Sequence, residues 1–210
     1  MRKLGGLLLT LICAAALCAP WYPRVTAPHV GNAFAAAALL LETPDGVTFR
    51  EEEIDADSVY RALEAQYPYA FSLHATTRPN RTTELRIELS RPARQEQARE
   101  YAAALTAETV ADGMTDAERL RALHDALVRL CRYDVEAAEQ PVRDGATAPF
   151  AADGALIDHK AVCSGYARAY AMLCEAAGLR TVYVSSERMN HGWNAVRLDG
   201  ETYYIDCTFD

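Results

Sequence analysis

The dipeptide Asp199-Gly200 is the feature that most constrains how the last third of this chain can fold. It lies between two short runs rich in β-branched and aromatic residues, 193–198 and 201–207. Asp-Gly in that setting is a strong two-residue hairpin signal. With that turn, Leu198 faces Glu201, and counting outward sets Trp193 opposite Asp206. His191, two residues before Trp193, then projects from the same face as Asp206, diagonally across the pair. Diagonal neighbours lie about 7–8 Å apart at the backbone, within reach of longer side chains. A slip of one residue would put the two on opposite faces. The register therefore predicts a hydrogen bond between His191 and Asp206.

Further upstream, apolar or small residues fall at Ala167, Tyr170, Ala171, Cys174 and Ala177. This 3–4 spacing predicts one face of a helix, with Gly178 as its natural stop. Cys163 then sits in the first turn of a helix of about four turns. There, unpaired backbone N–H groups and the positive end of the dipole favour a thiolate and suit a developing oxyanion. Residues 181–185 predict a short strand between this helix and the hairpin. A thiol is a nucleophile only as thiolate, so a cysteine in that role needs a base and a group that orients the base. Cys163, His191 and Asp206, in that order, follow the logic of a nucleophile–base–orienter triad. Each residue alone has an ordinary alternative, since free cysteine is among the most buried residue types. Cys174, on the same helix face but away from its positive end, reads as core. The joint placement of all three distinguishes Cys163.

From about Thr115 to Asp210 the chain resembles the transglutaminase-like superfamily of papain-like thiol enzymes. The resemblance rests on ordered motifs. Cys163-Ser164-Gly165-Tyr166-Ala167 matches a C-x-G-Y-A segment opening a helix, and His191-Gly192-Trp193-Asn194 matches an H-x-W-N strand. Tyr204-Ile205-Asp206-Cys207-Thr208-Phe209-Asp210 matches a Y-x-D-x-T-[WF]-D run, and the helix ending in Cys131-Arg132-Tyr133-Asp134 is similar to the one that precedes the nucleophile in the family. The resemblance implies an α+β fold with the nucleophile helix packed on an antiparallel sheet. It also implies Cys163 as nucleophile, His191 as base and Asp206 as orienting acid. The expected activity is that of a cysteine peptidase or amidase, or of a transglutaminase-like acyltransferase, on peptide or protein amides. A non-catalytic module binding peptide or cell-wall polymer is the alternative. Cys207 departs from the motif, where proline or a small residue is commoner. Relatives usually continue with further sheet beyond the Asp206 segment, so a C-terminally truncated domain is expected.

The remaining chain sets the context. Arg2 and Lys3 precede an apolar run over 7–17 and then Ala19-Pro20, which predicts a signal peptide or membrane anchor over 1–19. The chain is therefore expected to lie outside the cytoplasm, secreted or tethered. Residues 20–43, with Pro, Gly and an alanine-rich stretch over 33–41, read as a linker with some helical tendency. A small α/β unit is expected over 44–112. It would hold a helix capped by Asp57 and ending at Pro68, a hairpin of 71–77 with 82–89, and an amphipathic helix over 95–110. The main domain would span 113–210, opening on the capping box Thr115-Asp116-Ala117-Glu118 with Leu120, Leu123, Leu127 and Leu130 facing inward. Residues 139–154 read as a loop leading to Cys163.

Charge argues against nucleic acid as a partner. The formal balance is −8, no basic run interrupts it, and phosphate binding needs concentrated Lys and Arg. No motif calls for a cofactor. His159, Cys163, His191 and Cys207 lack the paired spacing of a zinc site. If the leader with Cys13 and Cys18 is cleaved and Cys163 is reserved, Cys131, Cys174 and Cys207 leave room for one disulfide at most, its pairing open. Oligomeric state has no sequence signal.

Overall fold

The structure is a computed structural model that describes residues 30–43, 45–140 and 147–209. The expected leader over 1–19 and residue Asp210 lie outside the described residues. No described helix is long and apolar enough to cross a membrane.

Two hydrophobic cores organise the chain. The first holds helix α1 (Ala33–Glu42), strand β1 (Val47–Arg50), helix α2 (Ala56–Gln66) and the hairpin β2 (Phe71–Arg78) and β3 (Thr82–Leu89). Its antiparallel sheet has the order β1-β3-β2. Ala36, Ala37 and Leu40 of α1 are fully buried with Phe49, Leu63 and Leu85. The helical tendency expected within 20–43 is realised over 33–42, and that helix is packed into the core rather than serving as a linker. Asn32 accepts the Ala35 N–H at 3.0 Å and starts a helix, and the alanines that looked like low-complexity spacer are its packed face. Asp55, rather than Asp57, caps α2, accepting the Ser58 N–H at 3.0 Å.

The second core gathers helices α3 (Pro92–Thr109), α4 (Asp116–Leu130), α5 (Val135–Ala138), α6 (Ala152–Leu156) and α7 (Cys163–Ala176). With them go strands β4 (Arg132–Tyr133), β5 (Lys160–Ala161), β6 (Thr181–Ser186), β7 (His191–Leu198) and β8 (Glu201–Ile205). Strands β4 and β5 pair in parallel, and β6-β7-β8 form an antiparallel sheet. Helices packed on antiparallel sheets make the architecture α+β. The boundary expected at 112 moves upstream: Ala98 and Ala102 of α3 are fully buried in the second core, and Thr106 donates to the Leu173 carbonyl at 3.2 Å. Gln95 faces the other way and bonds both backbone groups of Ala70, each at 2.7 Å, so α3 joins the two cores.

The capping box at Thr115 and Glu118 forms as the sequence predicts, and Leu120, Leu123 and Leu127 are buried below it. The loop expected over 139–154 is corrected in its described part. A 3₁₀ turn (Ala148–Phe150) and α6 lie there, and every residue of α6 is buried. Asp153 of α6 is fully buried between Arg91 and Arg94, a long-range pairing that gives an acidic, glycine-containing stretch a place in the core. Among the described residues, Cys131, Cys163, Cys174 and Cys207 form no disulfide.

Candidate active site

Helix α7 starts at Cys163, with Val162 as its extended N-cap. The first intrahelical bond runs from the Tyr166 N–H to the Val162 carbonyl at 3.0 Å, so the N–H groups before it have no acceptor within the helix. The helix is anchored on several sides. Tyr166 donates to the Cys131 carbonyl at 2.6 Å and Tyr170 to the Leu120 carbonyl at 3.0 Å. Asn194 of β7, almost fully buried, donates to the Ala167 carbonyl at 3.1 Å. That last bond sets the strand bearing His191 against the helix bearing Cys163.

The start of α7 also packs against the 3₁₀ turn. Val162 N–H bonds the Pro149 carbonyl at 2.9 Å and Ser164 Oγ donates to the Phe150 carbonyl at 3.3 Å. Gly165 allows this approach: a Cβ there would lie 2.5 Å from the Pro149 carbonyl oxygen and 2.8 Å from the Ala161 Cβ. Neither neighbour is a flexible side-chain end, so Gly165→Ala must move backbone. We expect it to destabilise the fold by about 1–3 kcal/mol, as overpacking does, and to displace Cys163. Urea unfolding, together with the labelling rate of Cys163, checks both effects.

The hairpin takes the predicted register. Leu198 pairs with Glu201 and Asn194 with Ile205, and Asp199 and Gly200 both have positive φ, 49° and 87°, as a type I′ turn requires. Along β7 the pleat alternates. Gly192, Asn194 and Val196 are buried, and His191 and Trp193 project from the opposite face. Asp206 follows the last ladder pair by one residue, and its Oδ2 lies 2.6 Å from His191 Nε2. Oδ1 accepts from the Thr208 N–H at 2.9 Å and from its hydroxyl at 2.6 Å. Burial raises the Asp206 carboxyl, but the bonds from Thr208 and His191 outweigh it and hold the group below the usual carboxylate value. The His191 ring stacks on Trp193 at 5.7 Å and meets Phe209 at 4.8 Å. The bond to Asp206 is made by Nε2, so Nδ1 is the ring nitrogen on the side away from that carboxylate.

Cys163 and His191 line one cleft of about 490 Å³. Tyr60 and Glu64 of α2 wall it from the first core, and Tyr133, Phe150 and Tyr183 add aromatic surface. Glu64 pairs at 2.7 Å with Arg168, a buried side chain of α7 that also lies 5.3 Å from the Tyr183 ring centre. Burial pushes the Tyr183 hydroxyl up to about 12, so it is a neutral donor. It also pushes the Cys131 thiol up to about 11 and Cys174 up to about 12, which removes both as thiolates near neutrality. Cys174 is core, as read from its place on the helix.

All three sequence-predicted residues thus fall in one region. Cys163 and His191 share a cleft, and Asp206 bonds His191. Sequence reasoning gave no role to Asn194, to Thr208 or to the α2 residues in the cleft wall. Thr208 stands inside the motif and was the one with a local signal. Among the described residues no group of three or more His, Cys, Asp or Glu could hold a metal ion.

The fold is α+β with Cys163 and His191 lining one cleft, and comparison narrows the class. The model of the transglutaminase-like superfamily matches residues 103–206, and this part of the chain belongs to that superfamily. Kyphoscoliosis peptidase of Mus musculus is 29% identical over 119 residues, 50% of this chain and 17% of the relative. The Homo sapiens protein of the same name is 28% identical over 119 residues, with the same shares. The chain thus spans only about a sixth of the length of these relatives. A solved structure described as "Crystal structure of a TGase" aligns with TM-score 0.43 and 16% identity, over 65% of this chain and 44% of that one. Superfamily members are often cysteine peptidases or acyltransferases, and some are non-catalytic.

Proposed function

We propose that this chain performs thiol-dependent acyl transfer on peptide or protein amides. In this reading Cys163 is the nucleophile, His191 the proton carrier and Asp206 the group that orients the imidazole. One observation carries it: His191 shares a cleft with Cys163 and bonds Asp206 at 2.6 Å through Nε2, which leaves Nδ1 for the thiol.

The steps follow from those positions. Cys163 sulfur attacks the amide carbonyl carbon, and the negative charge that develops on oxygen faces the free N–H groups at the start of α7. As the C–N bond breaks, His191 gives its proton to the departing amine, leaving a thioester. Water then attacks the thioester carbon, His191 takes its proton, and the C–S bond breaks to return the thiolate and release the acid. An amine in place of water would give a cross-linked product. The name peptidase borne by the matched relatives favours water. This chemistry uses no cofactor. Secretion or a membrane tether through the basic and apolar N-terminal run remains part of the proposal.

The test separates reactivity from exposure, since Cys174 and Cys207 are buried and would label slowly in any case. Iodoacetamide labelling with peptide mapping should find Cys163 fastest, and His191→Ala should slow Cys163 by about tenfold or more, within the range for a general base. On a broad peptide and amine-donor panel, Cys163→Ala should abolish turnover. Equal turnover by both proteins would remove Cys163 from the chemistry, and ligand binding without turnover by either would mean a binding module instead.

A further inference from the structure

The segment carrying Asp206 is held from outside the hairpin by a residue that the proposed chemistry does not use. His124 of α4 has a largely buried side chain, 15% exposed, and its Nε2 lies 3.3 Å from the Asp206 backbone carbonyl oxygen. A carbonyl only accepts, so Nε2 carries the proton and donates. The other ring nitrogen, Nδ1, lies 3.0 Å from Asp125 Oδ1, a carboxylate oxygen that also only accepts, so with both bonds made each ring nitrogen donates and the plane of the ring is fixed.

The location gives this bond its significance. The β7-β8 ladder ends at Asn194 and Ile205, so no ladder bond holds the Asp206 carbonyl. The two Thr208 bonds to Oδ1 lie within the segment and move with it. Cys207 packs into the core next to Asp206. The His124 bond is directional and comes from a helix whose Leu120, Leu123 and Leu127 are core residues. It therefore refers the main chain at Asp206 to the same scaffold that holds α7, since Tyr170 of α7 bonds the Leu120 carbonyl of α4.

We propose that His124 is a positioning residue: it clamps the Asp206 main chain to α4 and so sets where the carboxylate meets His191. The proposal rests on the reading of Cys163, His191 and Asp206 as the reacting group, in which an error of about 1 Å in a supporting contact can cost about 10²-fold in rate. His124→Leu keeps the volume and removes the donor. His124→Gln carries an amide N–H at the reach of Nε2 and restores it.

The experiment reads two quantities. On a substrate turned over by the wild type, His124→Leu lowers kcat by about 10- to 100-fold with KM changed less than about twofold, and His124→Gln recovers most of the loss. Independently of turnover, the ring N–H of His191 bonded to Asp206 gives a low-field proton resonance, assigned by its loss in His191→Ala. His124→Leu shifts or broadens it, and His124→Gln retains it. An unchanged kcat and resonance in His124→Leu overturns the proposal. So does an equal loss in the Leu and Gln variants that tracks their melting temperatures, which marks His124 as packing only. If the wild type turns over nothing, the activity reading fails by itself, and the resonance alone decides the clamp.

Discussion

Asp206→Asn will lower turnover by as much as ~10⁴-fold and leave the fold standing, the loss seen when the orienting acid of a triad becomes an amide. The geometry gives the reason. Oδ1 of Asp206 takes both Thr208 bonds, so an asparagine oxygen settles there and its NH₂ replaces Oδ2 against His191 Nε2. That nitrogen must then accept, which moves the ring proton to Nδ1, the position needed to receive a proton from Cys163. The ring remains in place in the wrong tautomer, so kcat falls far more than KM rises. Asp199→Asn makes the same change of charge in the turn of the same hairpin and should leave the rate nearly intact. Steady-state kinetics on both variants, with circular dichroism to check the fold, tests this. A loss below tenfold in Asp206→Asn would remove Asp206 from the proposed mechanism.

The same carboxylate carries a pH signature. Its folded pKa lies below the ordinary value because the bonds from Thr208 and His191 outweigh the effect of burial. A depressed carboxyl contributes stability that is fully present above its unfolded pKa and lost as pH falls through the folded one. Asp206 therefore stays ionised through the neutral range, and its contribution disappears only under acid.

The local signals in the sequence were those that depend on neighbours within a few residues. Asp199-Gly200 fixed a turn in which both residues need positive φ, and from that turn the period of two placed His191 and Asp206 on one face. The spacing after Cys163 gave α7 and its stop at Gly178, which takes φ 72°. Thr115 and Glu118 close a capping box by contacts three residues apart. What escaped notice depends on distant partners. Helix α1 is alanine-rich, so its periodicity is weak, and only Phe49, Leu63 and Leu85 reveal which face is packed. The stretch around Asp153 looks like polar loop until Arg91 and Arg94, some 60 residues earlier, supply its counter-charge. Asn194 and His124 likewise acquire meaning only from backbone carbonyls on other elements.

Removing that counter-charge should be the most damaging change to stability outside the cleft. Asp153 is wholly buried, and its carboxylate accepts from Arg91 Nε at 3.1 Å, Arg91 Nη2 at 2.8 Å and Arg94 Nε at 2.9 Å. The arginines are 27% and 37% exposed, so each can be rehydrated when unpaired, while Asp153 cannot. The effects are therefore unequal. Arg91→Ala or Arg94→Ala alone leaves one partner, but the double replacement leaves a buried carboxylate with neither guanidinium. That should cost about 3–5 kcal/mol, the usual penalty for stranding one member of a buried pair. Asp153→Asn strands no buried charge and should cost less than the double variant. Because α6 and the 3₁₀ turn brace the start of α7, the loss should spread to the cleft, and Cys163 in the double variant should label more like an unfolded thiol. Urea unfolding with unchanged slope, together with that labelling, is the measurement. A double variant no less stable than Asp153→Asn would show that the arginines do not compensate the buried charge.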